Sequence, residues 1–115
     1  MSTEQEKRQS ERFTVHRGSV ACINGQQAYS TLTDISESGV AFICSPHLQH
    51  GDQVKMALEL KEGDQVKTFH VIVEVVRCIQ EEFEHYVGAI VKTVTDEFKT
   101  LVEQVKFSRS KYGLA

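Results

Sequence analysis

The sequence predicts a mainly β domain, an antiparallel barrel or sandwich that ends in one amphipathic helix. Two observations carry this reading. Short apolar runs separated by Gly, Asn and Asp turn signals fill the chain from Phe13 to about residue 92, and the hydrophobic period then lengthens from two residues to that of a helix. At 115 residues the chain is the size of one domain.

The elements follow in order. Residues 1 to about 10 are polar, without apolar periodicity, and predict an arm that is mobile when no ligand holds it. From Phe13 the pattern is strand-like, through Val15, Val20, Ala21, Cys22 and Ile23 to the hairpin signal Asn24-Gly25. Ala28 to Ile35 reads as a second strand, closed by the Ser36-Glu37-Ser38-Gly39 turn, and Val40 to Cys44 as a short third. Pro46 opens a loop that ends at Gly51-Asp52. Val54, Met56, Leu58 and Leu60 alternate with Lys55, Ala57, Glu59 and Lys61, the pattern of a half-buried strand. After Glu62-Gly63-Asp64, Phe69, Val71, Val73 and Val75 line one face of a long strand that runs to about Ile79. An acidic turn containing Glu81, Glu82 and Glu84 leads to the last strand, Tyr86 to Val91. Phe98, Leu101, Val102 and Val105 then fall at helical spacing, which predicts a helix over 96–110 packed on the barrel or across one open end. Thr93 or Thr95 can cap it, and Asp96 and Glu97 suit its positive end.

Composition narrows the function. A net charge of −3 disfavours DNA or RNA, which call for a basic excess. The N-terminus has no apolar core for a signal peptide, and no stretch is apolar enough for membrane insertion. Cys22, Cys44 and Cys78 are widely spaced, which predicts buried free thiols in a reducing, cytoplasmic setting rather than a disulfide frame. Of five histidines only the loop pair His47/His50 approaches metal-ligand spacing, too little for a metal site. No P-loop or dinucleotide glycine motif is present, and Ser36, Cys44 and His70 make no recognisable triad, so an enzyme is not expected.

Two motifs remain. Arg8 and Arg12 form an R-x-x-x-R pair of rigid, permanently charged forks able to grip phosphate or the Hoogsteen edge of guanine. Lys7, Arg8, Arg12 and Arg17 are offset by Glu4, Glu6 and Glu11, so this arm suits a small anionic ligand better than a polyanion. Asp34-Ile35-Ser36-Glu37-Ser38-Gly39 supplies a carboxylate, a hydroxyl and a glycine free to adopt positive φ in a tight turn.

In this order the motifs resemble the PilZ domain family, receptors for the bacterial second messenger cyclic di-GMP. The likeness continues through Gly39-Val40-Ala41-Phe42, Gly51-Asp52-Gln53-Val54, Val75-Val76-Arg77 and Val87-Gly88-Ala89-Ile90. The resemblance implies a six-stranded antiparallel β-barrel over 13–92, a flexible N-terminal arm over 1–12 and a C-terminal helix and tail over 93–115. It implies cyclic di-GMP as ligand, with no other cofactor. Arg8 and Arg12 would wrap it, Asp34 and Ser36 would contact a guanine edge and nearby polar atoms, and Gly39 would keep the turn tight. Lys7 stands where many members carry a further arginine, and it keeps the charge without the bidentate fork. The expected output is an arm rearrangement read by a downstream protein partner; the alternative is an adaptor that binds proteins and ignores nucleotide.

Overall fold

Six strands and one helix follow the hydrophobic pattern in chain order: β1 (Phe13–Ile23), β2 (Gln26–Ile35), β3 (Gly39–Cys44), β4 (Gln53–Glu62), β5 (Gln65–Glu81), β6 (Glu84–Val91) and α1 (Asp96–Lys111). The computed structural model describes residues 11–111, with side chains over 11–107. Residues 1–10 of the predicted 1–12 arm, including Lys7 and Arg8, therefore lie outside the described residues, whereas Arg12 is among them.

Every strand pair is antiparallel, and the sheet closes into a barrel in the order β1-β2-β3-β6-β5-β4. Closure comes from β1 against β4, with Val20, Ala21 and Cys22 facing Ala57, Met56 and Lys55. Three strand pairs are joined by two-residue turns. Asn24 and Gly25 both have positive φ (52° and 81°), which matches the right-handed twist of the strands they connect. Gly63 does the same for β4–β5. The β5–β6 turn is Glu82-Phe83, shorter than the acidic run suggests, because Glu81 and Glu84 already pair as strand residues.

The barrel interior is filled by the inward halves of the alternating strands, among them Leu32, Ile35, Phe42, Val54, Met56, Leu60, Val73 and Val75. The helix adds Phe98, Leu101, Val102 and Val105, all buried, so its apolar stripe packs against the domain. Thr95 caps it by accepting a hydrogen bond from the Phe98 amide at 3.2 Å. Gln104 behaves as a strand partner for the end of β4: its amide donates to the Lys61 carbonyl at 2.6 Å and accepts from the Lys61 N–H at 3.2 Å.

Of the three free cysteines only Cys44 is buried; Cys22 and Cys78 are half-buried near strand ends, where the core thins. Desolvation, reinforced by nearby Cys78, lifts the Cys44 thiol to about 11. His85 is also more enclosed than a solvated strand histidine. Its Nδ1 lies 2.8 Å from the Ser45 carbonyl, and its ring meets His47 edge-on at 5.1 Å.

Candidate functional site

The site is built on a phase change in β2. Ser30 and Leu32 point inward, so strict alternation would send Asp34 into the core and Ile35 out. The opposite is found: Ile35 is fully buried and Asp34 is half-exposed. The cause is a bulge. Leu32 pairs with Phe42 and Asp34 with Ala41, so Thr33 is an extra residue on β2. Its hydroxyl donates to the Ala41 carbonyl at 3.2 Å, which occupies a backbone acceptor the bulge disturbs. A second bulge lies in β1 between Thr14 and Arg17, and beyond it Thr14 pairs with Asp34 and Phe13 with Ile35. Arg12 is exposed and immediately precedes Phe13, so it enters the domain alongside the β2–β3 turn.

That turn is closed from within. The Ser36 amide donates to the Gly39 carbonyl at 3.0 Å, and the Ser36 hydroxyl donates to the same oxygen at 3.4 Å. Ser36 is buried, so its hydroxyl serves the turn rather than projecting from it. The Val91 amide donates to Ser38 O at 2.9 Å and ties the turn to the end of β6. Gly39 is not in the left-handed region, contrary to the expectation for a turn glycine. Its requirement is space: a Cβ there would meet the Ala89 carbonyl oxygen at 3.0 Å.

Register extends the site across the outside of the barrel. Thr14 pairs with Asp34, Asp34 with Ala41, Ala41 with Gly88, and Gly88 with Arg77. The row thus runs from a carboxylate, over two of the smallest side chains, to a guanidinium. Arg77 lies across Gly88, its Nη2 3.7 Å from where a Cβ would sit. A third bulge, between Val75 and Arg77, sets Arg77 on this outer face. In the sequence Arg77 and Gly88 stand in separate strings, and nothing local joins them to Asp34. A glycine inside a strand pattern was the available signal, since it marks a bulge or a close approach.

Other features lie elsewhere. A groove of about 610 Å³ runs between α1 and β4, lined by residues including Arg17, Leu58, Leu60, Leu101 and Phe107, and none of Arg12, Asp34, Ser36 or Gly39 lines it. Among the described residues no group of three His, Cys, Asp or Glu could hold a metal ion, and no helix is long and apolar enough to cross a membrane.

The model of the PilZ domain family matches residues 6–107, nearly the whole chain and both motifs. The chain belongs to the PilZ domain family. The fold agrees with solved PilZ-type structures at low identity. The Bacillus subtilis inhibitor of motility (MotI/DgrA) superposes with a TM-score of 0.77 at 13% identity, over 90% of this chain and 52% of that one. The PilZ domain of Escherichia coli YcgR, solved with cyclic di-GMP, gives 0.71 at 11% identity, over 95% and 99%. Borreliella burgdorferi PlzA, solved in complex with cyclic di-GMP, gives 0.59 at 12%, over 95% and 54%. The chain thus spans about half the length of MotI and of PlzA, and matches the YcgR PilZ domain end to end. No curated protein matches it in sequence.

Proposed function

We propose that this PilZ domain is a cyclic di-GMP receptor, a binding module rather than an enzyme, with its ligand held between the N-terminal arm and the Asp34–Gly39 turn. Arg8 and Arg12 clamp the phosphates and guanine faces, and Lys7 adds charge. Asp34 accepts from guanine N–H donors. Ser36 and Gly39 act through the backbone, by closing the turn and letting β3 approach β6. The Ala41–Gly88 bed leaves room for a flat ligand, and Arg77 offers a cation at its far side.

The observation that carries this reading is the Thr33 bulge, which turns Asp34 outward beside Thr14, two residues from Arg12. Turned outward, the carboxylate is free to accept from an arm arginine or from guanine N–H donors. Membership of a family whose solved members include cyclic di-GMP complexes supports the choice of ligand.

Binding is expected to order the arm over the barrel and create a surface for a downstream protein, a population shift driven by the ligand's preference for the closed arm. Titration calorimetry with cyclic di-GMP tests the receptor reading. Saturable binding that weakens in Asp34→Ala supports it, and no heat at tens of micromolar ligand would favour an adaptor that ignores nucleotide.

A further inference from the structure

β5 outruns its neighbour. Its pairing with β4 ends at Glu74, which faces Gln53, and one further bridge joins Val75 to the loop: the Val75 amide donates to Asp52 O, and the Gly51 amide to Val75 O, both at 2.8 Å. From Val76 to Glu81, β5 is paired only with β6 on one side. Among the described residues no strand and no backbone hydrogen bond reaches its other edge. An open edge of this kind is a template for another strand.

Hairpin geometry fixes which groups the edge presents. Across a two-residue turn the flanking residues Glu81 and Glu84 exchange both backbone hydrogen bonds, so Ile79 and Tyr86 do the same two residues on. The alternate residues, Cys78 and Gln80, then point their N–H and C=O groups to the open side. Val75, beyond the bulge, points the same way, as its bonds to the Gly51-Asp52 loop show.

We propose that this edge pairs with the same edge of a second copy of the chain, antiparallel, about a two-fold axis at Ile79. In that register Cys78 faces the partner's Gln80, and Gln80 faces the partner's Cys78. These are the residues whose backbone groups point outward, so each pair exchanges two hydrogen bonds. Ile79 meets its own copy in the close, non-hydrogen-bonded position. Arg77 faces the partner's Glu81, and Glu81 faces the partner's Arg77. Charges on an edge ordinarily block pairing, but here they are complementary in one register: with each Arg77 turned from its place across Gly88 toward the partner's Glu81, two ion pairs form per dimer.

The fit continues at both ends. The paired stretch 77–81 is complete before either copy reaches the Gly51–Val75 bridge. In this register Glu82 falls opposite the partner's Val76, and Phe83, 91% exposed at the hairpin tip, falls opposite the partner's Val75, beside the loop that bridges it. Six residues of edge are a small contact by the standard of stable dimers, so the association is weak and concentration-dependent. It does not rest on nucleotide binding.

Sedimentation of the full chain without nucleotide, from micromolar to millimolar concentration, tests this. The wild type should pass from monomer to dimer. Arg77→Glu and Glu81→Arg, both exposed and expected to fold, should each weaken the dimer by at least about tenfold, because two attractive cross-strand pairs become repulsive. Mixing these two variants should restore a dimer, since each then faces its complement, and the double variant R77E/E81R should dimerise with itself. A wild type that stays monomeric throughout overturns the proposal, including the case in which residues 1–10 occupy the edge. A dimer unaffected by either single variant, or not rescued by the mixture, overturns the register.

Discussion

A methyl group on Gly39 would stand 3.0 Å from the Ala89 carbonyl oxygen, closer than side chains ordinarily approach, so the contact of β3 with β6 beside the candidate site favours a residue without a side chain. The obstructing atom belongs to the backbone of a paired strand and cannot rotate away. Gly39→Ala should therefore cost about 1–3 kcal/mol, the range for overpacking, measured by urea or thermal unfolding. Gly88→Ala is the control. Its nearest neighbours are the Arg77 Nη2 and Nε atoms at 3.7 and 3.8 Å, on a long side chain that can yield. It should leave stability within about 0.5 kcal/mol. Equal losses in both variants would mean that the close approach at Gly39 is not what selects glycine.

Glu82 occupies the first position of the β5–β6 turn with φ 57°, a region costly for a residue with a Cβ. Glu82→Gly removes that cost and some of the repulsion among Glu81, Glu82 and Glu84. Stability should rise by roughly 0.5–1 kcal/mol, seen as a higher denaturation midpoint at unchanged slope. A fall in the midpoint would show that the hairpin is held by something other than turn geometry.

Cys44 sets a pH dependence. In the unfolded chain its thiol ionises near the ordinary cysteine value, whereas burial holds the proton in the folded state to about 11. Between those values the unfolded state carries fewer protons, so raising the pH favours unfolding. The contribution is fully present below the unfolded value and is lost as pH rises through about 11. Denaturation curves across that window should fall more steeply for the wild type than for Cys44→Ala, whatever the variant's overall loss from the cavity. Parallel slopes would contradict this.

Much of this architecture was legible in the alternation of Val, Leu, Ile and Phe. The β4 pattern at Val54, Met56, Leu58 and Leu60, the Asn24-Gly25 hairpin and the α1 stripe all fold as their periods require. The strands run a few residues beyond their apolar cores, because backbone pairing continues through polar ends such as Gln65–Thr68. The bulges were not legible. A single inserted residue such as Thr33 leaves no compositional mark, yet it decides that Asp34 faces outward and Ile35 inward. Nor could local reading link Arg77 to Asp34, which lie 43 positions apart and share a row only through the register of four strands. Gly39 belongs with these: its constraint comes from Ala89, a residue of another strand, and not from a positive φ.

The central claim is that an arm arginine and an outward-turned carboxylate together hold a guanine dinucleotide. Calorimetric titration of cyclic di-GMP into the wild type, Arg12→Ala and Asp34→Ala tests it most directly. The account predicts saturable binding by the wild type and a loss of about 1.5–3 kcal/mol, roughly ten- to a hundredfold in Kd, in each variant, the cost of one charge-assisted contact. Unfolding curves should show both variants as stable as the wild type, because both side chains lie outside the core. A silent wild type, or variants that bind as tightly as it does, would contradict the account.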